Sequence, residues 1–162
     1  MIVRPARDAD MDQVAAIWDP VLRDTTITFA SDIRTPETLV RMAADRRADG
    51  REFFVAEDQG RVLGFATYGQ FRGGNGYVTS MEHTIILAPG AQGRGVGRAL
   101  MTAAEDHARL GGAHTMVAVV SGENPEGVAF HRALGYVDHG TLPQVGRKFG
   151  RFLDAVFLVK IL

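Results

Sequence analysis

The sequence contains no cysteine. That absence removes disulfides, thiolate metal sites and a cysteine nucleophile together, and it suits a reducing, cytoplasmic setting. No run of about 18 apolar residues is present to span a membrane. The opening Met1-Ile2-Val3-Arg4-Pro5-Ala6-Arg7-Asp8 lacks the apolar stretch of a signal peptide. The chain therefore reads as soluble and intracellular, with no membrane partner. An excess of one charge is missing too. Eighteen basic and 19 acidic residues leave a formal net charge of −1, which provides no field to gather nucleic acid. Several signatures are absent as well. Gly97-Arg98-Ala99 stands where a Walker loop needs Gly-Lys-Ser/Thr, and no G-x-G-x-x-G frame fits. Five histidines are scattered without a ligand spacing such as H-E-x-x-H, so no metal is expected. No G-x-S-x-G elbow occurs, which sets serine-hydrolase chemistry aside.

What remains is an ordinary globular composition, 46% hydrophobic and 23% charged over 162 residues. It predicts one domain, residues 1–162, with a single core. Ile2 to Arg4 reads as a short strand. A helix follows, capped by Asp8 or Asp10, with Met11, Val14, Ala15, Ile17 and Trp18 as its apolar stripe and Pro20 near its end. Thr35-Pro36 starts a second helix, with Thr35 as N-cap. Three β-rich runs come next, Glu52 to Glu57, Arg61 to Phe71 and Tyr77 to Leu87, separated by turn segments at Asp58-Gln59-Gly60 and Gly73 to Gly76. From Val96 to Leu110 the period becomes helical. Thr115 to Val120 is strand again, Pro125 to Leu134 helix, and Tyr136 to Leu162 a final strand pair. The predicted order is β-α-α-β-β-β-α-β-α-β-β.

The segment Leu87-Ala88-Pro89-Gly90-Ala91-Gln92-Gly93-Arg94-Gly95-Val96-Gly97-Arg98 runs from a strand through a glycine-rich turn into an amphipathic helix. Unpaired N–H groups and the positive end of the helix dipole meet at such a start, and glycine lets phosphate oxygens approach the backbone. A pyrophosphate suits it. Gln92, Gly95 and Gly97 form the pattern Q-x-x-G-x-G, and here the chain resembles the GNAT superfamily of acetyltransferases.

The resemblance extends over nearly the whole chain and is closest to the phosphinothricin and methionine sulfoximine N-acetyltransferases of that superfamily. It is carried by Arg4-Pro5-Ala6, Thr25 to Phe29, YVTSMEHTIIL from Tyr77 to Leu87, NPEGVAFHRALGY with Asn124 and His131, and GRKFGRFLD from Gly146 to Asp154. It implies an α/β (α+β) GNAT fold, a mixed, mostly antiparallel twisted sheet of about seven strands flanked by about four helices. It also implies acetyl-CoA as cosubstrate, held by Leu87, Gln92, Gly93, Arg94, Gly95, Val96, Gly97, Arg98 and Asn124, and a homodimer. Asn124 also reads as a helix cap. Two positions depart from the family pattern: Gly127 stands where a serine is common, and of two arginines before the tyrosine only Arg72 remains, with Gly74 at the other position. One guanidinium can clamp one carboxylate bidentately, but not obviously a second acidic group.

Glu82 is the candidate base. It lies in an otherwise apolar strand, where desolvation raises a carboxyl pKa toward neutrality; a strand-face carboxylate paired with an arginine is the structural alternative. His131 is the candidate proton donor to the coenzyme A thiolate, or orients the substrate, with a packing residue as the structural alternative. A main-chain N–H near Ile86-Leu87 is implied to polarise the thioester carbonyl. Phe29, Arg72, Tyr77, Lys148 and Arg151 are the candidate contacts to a small-molecule amine, the basic three to its carboxylate. The expected function is acetylation of the amine of an amino-acid-like compound by direct attack in a ternary complex. Another acceptor (a polyamine, an aminoglycoside or a protein N-terminus) and a non-catalytic acyl-CoA sensor are the alternatives.

Overall fold

The computed structural model describes residues 1–162. Its elements are β1 (Ile2–Pro5), α1 (Met11–Asp24), α2 (Pro36–Ala48), β2 (Phe53–Asp58), β3 (Arg61–Gln70), β4 (Ser80–Leu87), α3 (Val96–Leu110), β5 (Thr115–Ser121), α4 (Pro125–Ala133), β6 (Val137–Lys148) and β7 (Arg151–Ile161), with 3₁₀ turns at Asp8–Asp10 and Asn75–Tyr77. The order is the one the sequence predicts. Most element ends fall within a residue of those expected, and two places need comment. Pro20 lies inside α1, which continues to Asp24; a proline there removes its N–H bond and crowds the carbonyl four residues back, a cost set against the buried stripe from Met11 to Leu22. β4 begins at Ser80, so Tyr77 is not on the strand, because Gly74 takes φ +103° and the chain turns through 3₁₀ geometry first.

The helix starts follow local chemistry. Thr35 Oγ1 accepts from Thr38 N at 3.3 Å, and Pro36 occupies the first turn. At α4, Asn124 Oδ1 accepts from Gly127 N at 2.9 Å, with Pro125 next in line.

Seven strands form one sheet in the order β1-β2-β3-β4-β5-β7-β6. All pairs are antiparallel except β4 with β5, joined by the α3 crossover. Trp18 of α1 packs on Phe65 of β3, ring centroids 4.8 Å apart, which puts α1 and α2 on one face. Tyr68, one position from Thr67, reaches the other face, where its hydroxyl meets His107 Nδ1 of α3 at 2.6 Å.

One irregularity organises the site. β3 and β4 pair continuously from Gly64↔Leu87 to Gln70↔Met81. β4 and β5 pair only at Ser80↔Thr115, Met81↔Met116 and Glu82↔Val117. Beyond Glu82 the two strands splay, and the sheet opens.

Candidate active site

A cleft of about 700 Å³ lies along this opening, bounded by the glycine-rich turn, α4 and the α1 face that carries Ile17 and Pro20. A smaller cavity of about 270 Å³ adjoins it, lined by Glu82, His83, Phe29, Val119 and Ser121. Ile27, Ile85, Ile86, Asn124 and His131 line both. A long ligand can thus lie in the cleft with its end in the cavity.

The strand edge in the gap can bind. Ala88 N donates to Leu63 O and Phe71 N to Ser80 O, so even-numbered residues of β4 turn their polar groups toward β3. Ile85 and Leu87 therefore turn theirs toward β5, where pairing has ceased. The Ile86 N–H, expected as part of the carbonyl-polarising region, faces β3 instead; the free donors belong to Ile85 and Leu87.

The turn before α3 meets the requirements of an anion cradle. Gly93 and Gly95 have φ of +72° and +79°, and a Cβ built on either meets nothing within 4 Å, so glycine serves conformation there. At Gly97 it serves packing: a Cβ would fall 3.0 Å from the Phe130 ring of α4. Leu87, Gln92, Gly93, Gly95, Gly97, Arg98 and Asn124 all line the cleft. Arg94 and Val96 do not. Arg94 is exposed, and Val96 is core, 1% exposed, because the first turn of α3 must bury its apolar face. Arg98 reaches across to the Ala133 carbonyl at 3.3 Å, tying α3 to α4.

Glu82 is half-buried at the last paired position of β4. Burial raises its pKa above the ordinary carboxylate range, and Arg46 opposes that shift as its one charged influence. On the opposite face His83 stacks on His131, and the Tyr136 ring stands edge-on to both. His131 Nδ1 lies 2.7 Å from the Gly127 carbonyl, which can only accept, so Nδ1 carries the proton. Burial holds this imidazole below its usual pKa. In that neutral state Nε2, buried without a protein partner, is an acceptor. For the expected role as proton donor to the thiolate, the ring takes up a proton at Nε2 before it gives one away.

The five expected substrate contacts fall into three groups. Phe29 lines the cavity, its ring seated against Gly146, where a Cβ would come within 2.3 Å. Arg72 and Tyr77 stand in the exposed turn before β4, the guanidinium 5.2 Å over the ring, and neither lines the cavity. Lys148 and Arg151 are committed elsewhere. Lys148 is buried and donates to the Thr28 carbonyl at 2.9 Å. Arg151 pairs with Glu123 through Nη1 and Nη2, and Glu123 also accepts from Thr26 Oγ1 at 2.7 Å. Both fasten the loop that carries Phe29. Arg46 is the residue that sequence reasoning missed; a helix-surface arginine carries no local mark of burial.

No group of three or more histidines, aspartates and glutamates is placed to hold a metal ion. No helix is long and apolar enough to cross a membrane.

A strand-turn-helix anion cradle at a splayed parallel strand pair defines the class of protein, and comparison with known proteins agrees. Residues 18–136 match the acetyltransferase (GNAT) family, and the chain belongs to that family. It is an N-acetyltransferase that uses acetyl-CoA. The L-methionine sulfoximine/L-methionine sulfone acetyltransferase of Pseudomonas aeruginosa strain PAO1 is 37% identical over 160 residues, covering 96% of this chain and 91% of that protein. An L-amino acid N-acyltransferase of Escherichia coli is 34% identical over 158 residues, covering 98% and 92%. Among solved structures, a ribosomal-protein-alanine N-acetyltransferase from Brucella melitensis superposes with TM-score 0.95 at 35% identity over the whole of both chains. A phosphinothricin acetyltransferase from Sinorhizobium meliloti in complex with acetyl-CoA gives TM-score 0.92 at 30% identity, covering 99% of this chain and 88% of that one.

Proposed function

We propose that the enzyme acetylates the primary amine of a small amino-acid-like compound of the methionine sulfoximine, methionine sulfone or phosphinothricin type, by direct attack in a ternary complex. The observation that carries this reading is the position of Glu82: a half-buried carboxylate at the point where β4 leaves β5, on the wall of an amino-acid-sized cavity that joins the longer cleft. The names of the relatives in Pseudomonas aeruginosa and Escherichia coli support the acceptor class.

Acetyl-CoA supplies a thioester, at whose carbonyl carbon the new C–N bond forms as the C–S bond breaks; the proton the nitrogen sheds on becoming an amide goes to the departing thiolate, which leaves as the thiol. The glycine turn from Gln92 to Arg98 receives its pyrophosphate, and the free N–H groups of Ile85 and Leu87 its amide arm and carbonyl. Glu82 accepts the proton of the substrate ammonium, directly or through water, and so frees the attacking lone pair. Arg72, the one exposed basic candidate bound to neither a carboxylate nor a main-chain carbonyl, is assigned to the acidic group of the acceptor. With Arg72 lying outside the cavity of the single chain, a second copy packed on the exposed Leu142, Val145, Phe149 and Phe152 of β6 and β7 is proposed to complete a homodimer. A cysteine-free chain suits work in the cytoplasm.

The test is thiol release from acetyl-CoA against methionine sulfoximine, methionine sulfone, phosphinothricin, ordinary amino acids, a polyamine, an aminoglycoside and an alanine-terminated peptide. Turnover concentrated on the first three is expected. Activity confined to the peptide, the polyamine or the aminoglycoside replaces the acceptor. Acetyl-CoA binding without turnover of any acceptor returns a sensor.

A further inference from the structure

Arg46, in the last turn of α2, brings its guanidinium against Gly69 of β3. A Cβ at Gly69 would fall 2.4 Å from Nη1, 3.0 Å from Cζ and 3.3 Å from Nη2. Its neighbour Arg47 is well served, binding Glu52 and the Ala6 carbonyl. Arg46 has no such partner, and its Nε is buried and unbonded. A half-buried guanidinium without a carboxylate costs free energy, so its place calls for a reason. Gly69 is the register partner of Glu82, and directly opposed residues of an antiparallel pair project on the same face. The cation and the carboxylate therefore occupy adjoining positions on the α1–α2 side of the sheet.

The surroundings of Glu82 make this pairing selective. Its partners on β3 and β5 are the uncharged Gly69 and Val117. His83 of β4 and His131 of α4 lie on the opposite face, and burial disfavours the charged form of both. On α2 and the turn after it, Asp45, Asp49 and Arg51 act on Arg46 rather than on Glu82. From the substrate side the cavity presents Thr28 and Phe29, neither charged.

We propose that Arg46 is a positioning residue of the reaction centre, seated on Gly69 so that its guanidinium is the one charged neighbour of the Glu82 carboxylate. It offsets the desolvation of Glu82, keeping the base ionised at neutral pH without forming the close ion pair that would withdraw its lone pairs from the substrate. Gly69 is part of the device, since any side chain there displaces the guanidinium. The proposal rests on Glu82 being the base.

The experiment compares pH profiles of kcat/KM for wild type, Arg46→Met, Arg46→Lys, Gly69→Ala and Glu82→Gln, with the Glu82 carboxyl followed by ¹³C NMR in the absence of substrates. Loss of the cation moves the acid limb and the NMR titration of Arg46→Met to higher pH by about one unit. Gly69→Ala moves them in the same direction, and Arg46→Lys largely restores the wild-type position. A residue that merely supports α2 would lower the rate at every pH and leave both midpoints unmoved, and that result overturns the proposal. Full activity in Glu82→Gln overturns the reading of Glu82 as base. An inactive Glu82→Gln beside an unmoved Arg46→Met overturns the role of Arg46 alone.

Discussion

The imidazoles of His83 and His131 lie face to face, centroids 4.9 Å apart and planes 13° from parallel. Both nitrogens of His83 are buried without partners, and burial, with His131 adding to it, pulls its pKa down to about 3. The unfolded chain protonates these rings near pH 6.5, while in the folded chain burial moves both to lower pH. Below that pH the unfolded state binds more protons, so stability falls as pH falls, by up to about 1.4 kcal/mol per pH unit for each ring that stays neutral. The melting temperature is expected to drop between pH 6.5 and 5, before the ion-paired carboxylates begin to titrate. His83→Phe, which keeps a stacked ring, should flatten that part of the curve, as measured by thermal melts across pH.

The same burial logic has the opposite sign at Glu82. A carboxyl that loses water loses its charged form first, so its pKa rises above the usual range, although Arg46 restrains the shift. A base must be ionised to act. The acid limb of kcat/KM is therefore expected above the pH near 4.3 of a free glutamate. Glu82→Gln should lower kcat by about 10²- to 10⁴-fold, the usual size of general-base assistance, with acetyl-CoA affinity unchanged by calorimetry.

Two glycines of the anion cradle are expected to fail in different ways. Gly95 sits at φ +79° with open space around it, so Gly95→Ala strains the backbone by about 1 kcal/mol and misdirects the N–H groups at the start of α3. Nothing beyond the backbone can relieve that. Gly97 meets a flexible obstacle, the Phe130 ring at 3.0 Å. Gly97→Ala should weaken acetyl-CoA binding by displacing that ring into the cleft, and Phe130→Leu should restore it in the double variant. The same second substitution should not rescue Gly95→Ala. Affinities for coenzyme A of the four variants decide it.

The parts of the site visible in the sequence are those fixed by local chemistry. Helix and strand periods, the Thr35 and Asn124 caps and the density of glycine from Gly90 to Gly97 each act within a few residues, and together they yielded the element order and the cradle. Glu82 was visible because a lone carboxylate interrupts an apolar strand. What was illegible depends on contacts distant in sequence. Lys148 meets the carbonyl of Thr28, 120 residues away, so its charge looked available for a substrate when it was already spent on a loop. Arg46 is one of several arginines on α2, and only the β3–β4 register brings it beside Glu82. His131 carried a plausible solitary role; its stacking on His83 needs α4 folded over β4.

The two basic residues on the closing hairpin bear on specificity through the loop they hold. Lys148 bonds the Thr28 carbonyl, while Arg151 holds Glu123, which in turn accepts from Thr26. The span from Thr26 to Phe29 is thus fastened on both sides of Ile27, which lines both cavities. Were these cations clamps for a substrate carboxylate, Lys148→Met and Arg151→Ala would penalise acidic acceptors and spare neutral amines. As loop fasteners they should raise KM for every acceptor by a similar factor, a few-fold, and leave the ratio of kcat/KM between an amino acid and its amide unchanged. Arg72→Ala is expected to do the reverse, lowering that ratio by about tenfold or more through the loss of one charge-assisted bond of about 1.5–3 kcal/mol. Measuring the ratio for the three variants with one amino acid and its amide separates a residue that touches substrate from two that hold the wall around it.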